Sequence, residues 1–302
     1  MKSASTPIPG GQLAPVMLTF LSAIMWGLWW IPIRLIESMG LTGAQASFLC
    51  NLGAVILLAA FIAARRLSAR IGPKALLGAF LIALAFTLYS IAITLSDVVR
   101  VILLFYLAPA WSKIIEWAFL RMPWQRSSWL TLGLSLIGAY LVLGGDLSLA
   151  SLNIGDLMAL AAGVSWAIGA ALIFTGRRAP VAALTLATVG WGALQSAFFV
   201  VILGETLSDA AGIGALGLSL ALGAAYLVPV IGMTLWGALR LAPALLSFLF
   251  TLEIVSGVIS AAILLDEPFG LWQALGGTLI FAAAIFEAVM TLRAPPAAPS
   301  RA

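Results

Sequence analysis

The sequence FYLAPAWSKIIEWAFLRMPW at residues 105–124 decides the fold, because a second stretch, FTLEIVSGVISAAILLDEPF at residues 250–269, aligns with it without a gap. The offset of 145 residues is close to half of the 302-residue chain. Each copy is an apolar run that ends in charged residues, a proline (Pro123 or Pro268) and an aromatic residue. This repeated block predicts that the chain consists of two homologous halves.

The composition places the chain in a membrane. Hydrophobic residues make up 63% of the chain, charged residues make up 9%, and the mean hydropathy is +1.15. A soluble domain carries about 25% charged residues, so this chain cannot cover itself with a wetted surface. We therefore expect it to be dissolved in lipid.

The residues that are missing exclude several classes of protein. The single cysteine, Cys50, excludes a disulfide framework. The absence of histidine excludes His-dependent metal sites, Ser-His catalysis and haem ligation. No GxxxxGK[ST] motif is present, so the chain is not an ATP-driven pump by itself. We expect no cofactor, no metal, no enzymatic activity and no nucleic-acid partner.

The apolar segments predict ten transmembrane helices, because a helix of about 20 apolar residues crosses a bilayer. The predicted spans are 14–36, 43–64, 75–95, 98–119, 127–144, 154–175, 181–203, 213–238, 241–265 and 270–292.

The loop charges agree with this count. With the amino terminus in the cytoplasm, twelve of the fifteen Lys and Arg residues fall in inner segments. Acidic residues such as Asp97, Asp156 and Glu205 fall in the outer loops. Lys and Arg accumulate in cytoplasmic loops, so both termini are predicted to be cytoplasmic.

Two halves with five spans each predict an inverted-topology repeat, because five is odd and the second half then enters the membrane from the opposite side. The expected fold is therefore an all-α integral membrane protein with ten transmembrane helices in a 5+5 repeat. Secondary transporters commonly have this architecture, with the substrate site between the halves near the midplane. The predicted units are a flexible tail at 1–15, repeats at 16–145 and 146–292, and a second tail at 293–302.

Each half begins with a tryptophan and a small residue, Trp26-Gly27 in the first half and Trp166-Ala167 in the second. Together with the repeated block and the two five-helix halves, this pattern resembles the drug/metabolite transporter superfamily, in its EamA-type branch. The fourth and ninth helices of that family typically contain a mid-helix proline and a Glu-Pro or Glu-Arg near their ends.

The two copies of the block keep different parts of that family pattern. The first copy has Pro109 but ends in Arg121-Met122-Pro123, whereas the second has Ile254 and ends in Asp266-Glu267-Pro268. The resemblance covers about residues 14–292.

The first helix contains the aromatic-rich stretch WGLWWIPIR at residues 26–34, which is similar to that of the YddG-type aromatic amino acid exporters. The resemblance implies export of aromatic and other largely neutral amino acids across a bacterial inner membrane, by alternating access through a central cavity. The expected partners are the amino acid substrate and the lipid bilayer, and the simplest expected unit is a monomer.

Charged residues inside the spans are candidates for function, since a charge at the bilayer centre costs roughly 2.5–3.5 kcal/mol. On a continuous fourth helix, Tyr106, Pro109, Lys113 and Glu116 would share one face, at i, i+3, i+7 and i+10. We interpret Lys113, Glu116 and Pro109 as a gate or coupling element. The alternative is that Lys113 only neutralises Glu116 and extends toward the interface.

Glu253, midway along the ninth helix, is the best candidate for a coupling carboxylate or for a contact to a substrate ammonium group. The alternative is a purely structural carboxyl group.

Five aromatic residues near mid-span are candidates for the cavity wall, because an aromatic substrate can stack on their rings. Core packing is the alternative for each of them. They are Trp26, Tyr89, Tyr106, Trp166 and Tyr226.

Three functions remain open at this point. The first is the amino acid exporter, and few buried charges fit a zwitterionic, largely apolar solute. The second is a multidrug or other metabolite exporter of the same fold. The third is a membrane scaffold without transport, against which the mid-span Lys113 and Glu253 argue.

Overall fold

The structure, a computed structural model, is all-helical over the residues that it describes. These residues are 13–118, 126–143, 152–174, 179–206, 211–241, 243–265 and 270–293. The predicted block endings at 121–124 and 266–269, and nearly all of both predicted tails, lie outside the described residues.

Helices cover most of the described part of each predicted span. The α-helices are α1 Leu13–Gly27, α2 Trp30–Ser38, α3 Gly43–Ala64, α4 Pro73–Leu95, α5 Val98–Phe105, α6 Ala108–Ala118, α7 Arg126–Val142, α8 Ile154–Phe174, α9 Val181–Ile202, α10 Ile213–Leu222, α11 Val228–Ala238, α12 Pro243–Leu264 and α13 Leu271–Arg293. A π-helical turn, Gly223–Leu227, joins α10 to α11.

Within the described ranges, six helical stretches are long and apolar enough to cross a membrane, and shorter apolar helices accompany them. The protein is therefore a multi-pass membrane protein. The ten crossings and the inverted repeat remain predictions. The six long stretches are Leu13–Ser38, Gly43–Ala64, Pro73–Leu95, Ile154–Ile173, Val181–Ile202 and Ile213–Ala238.

Within the described residues, three predicted spans are not continuous α-helices. The first is interrupted at 28–29 and the fourth at 106–107, and the eighth contains the π-helical turn. Each irregularity lies a few residues before a proline, namely Pro32, Pro109 or Pro229.

Proline explains these positions, because it has no N–H and leaves the carbonyl group four residues earlier without its helical donor. The backbone compensates locally. The Leu28 carbonyl accepts a bond from the Ile31 N–H at 3.1 Å. At the eighth span, the Val228 N–H donates to the Gly223 carbonyl instead of forming the usual α-helical bond. The interruptions are therefore encoded in the sequence.

Most of the close helix pairs join the two predicted halves. α4 packs on α8, α3 on α9, α7 on α13, and α1 on α11 and α12. The backbones of α7 and α13 are in contact where glycines leave room. A Cβ atom on Gly276 would collide with the Gly138 carbonyl oxygen.

The packing divides the centre of the molecule into two sets of helices. We call α1, α11 and α12 the α1 group, and α4, α5, α6 and α8 the α4 group. In each group, the first helix of one predicted half packs on the third and fourth spans of the other half.

Candidate functional site

A hydrogen-bonded pair, Tyr106 and Glu253, connects the α4 group to the α1 group. The Tyr106 hydroxyl oxygen lies 2.8 Å from Oε2 of Glu253 and 2.6 Å from the backbone carbonyl oxygen of Phe250. Both side chains are buried, with Glu253 only 6% exposed. The structure thus brings together two site residues that were predicted separately, 147 residues apart in the chain.

The backbone explains how these two side chains meet. Tyr106 lies in the interruption between α5 and α6, whereas Glu253 lies in the middle of the unbroken α12. α12 approaches α1 closely beside Glu253. The approach is close enough that a Cβ atom on Gly27 would collide with the Glu253 carbonyl oxygen and the Gly257 backbone nitrogen. α12 therefore packs closely on α1, and this packing fixes the position of Glu253 opposite Tyr106.

The pair can respond to a proton or to a cation. A tyrosine hydroxyl has one hydrogen to donate, so Tyr106 cannot donate to Glu253 and to the Phe250 carbonyl at the same time. If the carboxyl group of Glu253 is protonated, it donates to Tyr106, and Tyr106 donates to Phe250. If the carboxylate is ionised, it takes the Tyr106 hydrogen and retains capacity to accept a bond from a cationic ligand.

Aromatic rings extend from this pair across the interface between the two helix groups. The ring of Trp26 stacks on Phe86 at a centroid distance of 4.2 Å, and Phe86 lies 5.6 Å from Trp166. Phe105 lies 6.4 Å from Trp166 and 5.1 Å from Tyr89. The predicted cavity residues therefore belong to one connected cluster.

Tyr226 joins the same cluster through the first helix. Its position in the π-helical turn lets its hydroxyl donate to the carbonyl oxygen of Met25 at 2.5 Å, next to the interruption of α1. Its ring lies 5.5 Å from that of Trp29, which lies 6.4 Å from Trp26. Tyr226 therefore also stabilises the irregular end of α1.

The indole N–H groups of Trp26 and Trp29 are fixed by hydroxyl groups. Trp26 donates to Thr234 and Trp29 donates to Ser90, both at 2.9 Å. The first bond lies within the α1 group, whereas the second links α4 to the residue that separates α1 from α2. These bonds set the ring orientations before any ligand binds.

The indole N–H of Trp111, unlike those of Trp26 and Trp29, is not held by a hydroxyl group of the described residues. It is buried and has no hydrogen-bond partner among the described residues. Trp111 lies in the first turn of α6, immediately after the interruption that contains Tyr106. Buried donors are normally paired, so this indole N–H stands out within the described part of the chain.

The predicted gate residues lie in α6. The structure describes the backbone of Pro109, Lys113 and Glu116, while their side chains lie outside the described part. These three residues were predicted to share one helix face with Tyr106. They do not lie on one continuous helix with it, since α5 ends at Phe105 and α6 begins at Ala108. Pro109 causes this break, because it cannot donate to the Phe105 carbonyl group. The gate itself remains a prediction.

Several phenylalanine residues of the cluster were not predicted from the sequence. Phe86 bridges Trp26 and Trp166, and Phe250 lies 6.3 Å from Trp166. A usable signal was present for Phe86, which is three residues before Tyr89 and therefore shares its helix face.

A second polar cluster joins the predicted halves near the ends of the helices. Asp156 is fully buried in the first turn of α8, and its Oδ2 lies 2.6 Å from Nη2 of Arg100. It also accepts bonds from the Ser96 hydroxyl at 2.8 Å and from the Asn153 N–H at 3.0 Å. Asp156, which was counted among the outer-loop charges and also began the predicted span 154–175, lies in the first turn of α8, where Arg100 compensates its burial.

Comparisons with known proteins agree with a membrane transporter. Residues 13–144 match the EamA-like transporter family. No curated protein matches the chain. A solved structure titled "Crystal structure of protein" aligns with a TM-score of 0.61 and 15% identity, over 92% of this chain and 98% of that chain, and this likeness concerns the fold alone. The first part of the chain, residues 13–144, is therefore similar to EamA-like transporters.

Proposed function

We propose that the protein is a secondary transporter that exports aromatic and other largely neutral amino acids. One observation carries this proposal. A buried carboxyl group, Glu253, lies among aromatic rings at the interface of the two helix groups, where an interrupted helix supplies Tyr106. Substrate sites of secondary transporters are typically formed by discontinuous helices in this way.

The chemistry of the site matches each part of an aromatic amino acid. The side chain of the substrate would stack on rings such as Trp26 and Trp166, which adds about 0.5–1.5 kcal/mol per pair beyond area burial. The ammonium group would bind the carboxylate of Glu253. The carboxylate of the substrate would accept a bond from the indole N–H of Trp111, which has no hydrogen-bond partner among the described residues. Trp111 lies in the first turn of α6, where the helix dipole also favours the negative charge of the substrate carboxylate.

The helix packing supports alternating access. The α1 group and the α4 group meet where α12 packs on α5, and their specific contacts include Tyr106–Glu253 and Trp26–Phe86. Rocking of one group against the other would break and re-form these contacts around the substrate. The family match over residues 13–144 spans nearly the same residues as the predicted first repeat, which supports the two-half architecture.

A second candidate is export of cationic drugs by the same site. A single buried carboxyl group surrounded by aromatic rings also binds an organic cation well, through its charge and through the ring faces. The two candidates differ in one respect, since only the amino acid requires a donor such as Trp111 for its carboxylate.

Counterflow in proteoliposomes tests both candidates. Purified protein is reconstituted with internal unlabelled phenylalanine, and uptake of labelled phenylalanine and tryptophan is followed. Unlabelled amino acids, the matching amines without a carboxylate, sugars and cationic drugs are added as competitors. Competition by amino acids but not by the amines supports the amino acid exporter. A parallel assay loads the vesicles with phenylethylamine and follows the labelled amine. Exchange of the amine without exchange of the amino acids supports the drug exporter, and the absence of exchange in both assays contradicts both candidates.

A further inference from the structure

An apolar groove of about 420 Å³ opens between α1, α3, α9 and α11. Leu18, Leu58 and Thr185 line it from α1, α3 and α9, while Gly232 and Trp236 line it from α11. None of the residues that line this groove belongs to the aromatic site.

The walls of the groove suit a hydrocarbon chain. The Thr185 hydroxyl already donates to the Val181 carbonyl group at 2.9 Å, so it does not need a ligand. On α11, lining residues recur from Pro229 to Trp236, a distance of about 10 Å at 1.5 Å per residue. That length covers much of one leaflet of a hydrocarbon core that is about 30 Å thick.

One end of the groove carries a positive charge. The guanidinium group of Arg240 lies 4.2 Å from the centre of the Trp236 ring and donates to the Trp236 carbonyl group at 3.2 Å. Arg240 is exposed. A tryptophan and an arginine at the end of an apolar groove form an amphipathic surface, with the cation where a lipid headgroup would lie.

We propose that this groove binds one acyl chain of an anionic phospholipid, and that Arg240 pairs with the phosphate of the headgroup. The apolar wall selects the chain, and the fixed guanidinium group selects the negative headgroup. The bound chain lies between α1 and α11 on one side and α3 and α9 on the other. The lipid therefore occupies a seam along which the α1 group borders the α3–α9 pair.

Native mass spectrometry of the full chain tests the proposal. The protein is released from detergent micelles that contain equal amounts of phosphatidylglycerol and phosphatidylcholine with identical acyl chains. The wild type should retain phosphatidylglycerol preferentially. This measurement needs no variant, and equal retention of the two lipids would overturn the proposal.

The headgroup contact is tested with Arg240→Gln. We expect the preference for phosphatidylglycerol to fall about fivefold, as for the loss of one arginine near an anionic lipid. Arg65→Gln is the matched control, because Arg65 also lies over an aromatic ring, Phe61 at 5.8 Å, but Phe61 does not line the groove. An equal loss in both variants would show that only the general positive charge attracts the lipid.

The acyl-chain contact is tested with Gly232→Leu. No atom lies within 4 Å of the position of a Cβ atom at Gly232, so leucine fills the groove without a clash. Gly190→Leu is the control, since Gly190 is equally open but does not line the groove. Retention of both lipids should fall in the Gly232→Leu variant and stay at the wild-type level in the Gly190→Leu variant. Equal retention in the two variants, or displacement of the lipid by glycerol phosphate, would contradict an acyl-chain site.

Discussion

The two copies of the repeated block adopt different backbones over the residues that the structure describes. The first copy is interrupted at 106–107, between α5 and α6, whereas the corresponding residues 251–252 of the second copy lie within the continuous helix α12. At the offset of 145 residues, Pro109 corresponds to Ile254. The Ile254 N–H can donate to the Phe250 carbonyl group as in any α-helix, and Pro109 cannot make the equivalent bond to Phe105.

The difference assigns different tasks to the two copies. The interruption places Tyr106 outside regular helix, where small backbone changes can move its hydroxyl group. The continuous α12 holds Glu253 on a rigid element that packs closely on α1. The counterparts of these residues are Thr251 and Ala108, so each copy contributes one member of the pair and neither contributes both.

Breaking α12 should have the largest effect. Ile254→Pro removes a helical hydrogen bond and introduces a ring clash, so we expect a loss of about 3 kcal/mol in the free energy of unfolding. Thermal unfolding in detergent, followed by tryptophan fluorescence, measures the loss. Ile254→Val keeps the N–H and most of the volume and serves as the control. A wild-type melting temperature for Ile254→Pro would show that α12 need not be continuous.

Removing the carboxylate of Glu253, in the second copy, should have the next largest effect. Glu253→Gln leaves a substrate ammonium group without its buried partner, and we expect exchange of phenylalanine to fall about 30-fold. The counterflow assay measures this. Glu37→Gln is the control, because Glu37 pairs with Arg34 three residues away on a partly exposed surface. Unchanged exchange in Glu253→Gln would leave the transporter proposal standing and place its site elsewhere.

Removing the hydroxyl group of the first copy should have a smaller effect. Tyr106→Phe keeps the ring contact with Phe105 and loses the bond to Glu253. Because one interhelical hydrogen bond in a membrane contributes on the order of 1 kcal/mol, we expect about a fivefold loss of exchange. The double variant with Glu253→Gln separates the roles. Losses that simply multiply would show that the two side chains act independently.

Making the first copy resemble the second should have the smallest effect. Pro109→Ala restores an N–H that can bond to the Phe105 carbonyl group and favours a continuous helix. We expect the free energy of unfolding to change by less than about 1 kcal/mol. Exchange should decrease less than in Tyr106→Phe, because the hydroxyl group is still present. An increase in exchange would contradict a role for the interruption in transport.

The positions of the helices followed from the sequence, because apolar runs of membrane length and charged loops leave few alternatives. Counting along the predicted spans selected Trp26, Tyr89 and Tyr106, and the structure places all three in one connected aromatic cluster. The pairing of Arg100 with Asp156 could not be predicted, since it depends on how α5 packs against α8. Phe86 is one of fifteen phenylalanines, and its contacts exist only after α1, α4 and α8 are assembled.

The interruptions were only partly predictable. The prolines were visible, but whether a proline bends, breaks or expands a helix depends on what can bond to the freed carbonyl groups. At α1, the Tyr226 hydroxyl reaches the Met25 carbonyl group from a helix that lies about 200 residues later in the chain. Such a partner has no local signal in the sequence.

The division of Tyr106 and Glu253 between the two copies has a consequence for the history of the chain. A symmetric dimer of the first half alone would place tyrosines opposite Ala108 and would contain no carboxyl group at this site, and a dimer of the second half would lack the tyrosine. The duplication that the repeated block predicts would therefore have been followed by divergence that made the two halves mutually dependent at this site. A half-length chain built from either half alone would need at least one of these residues to be restored.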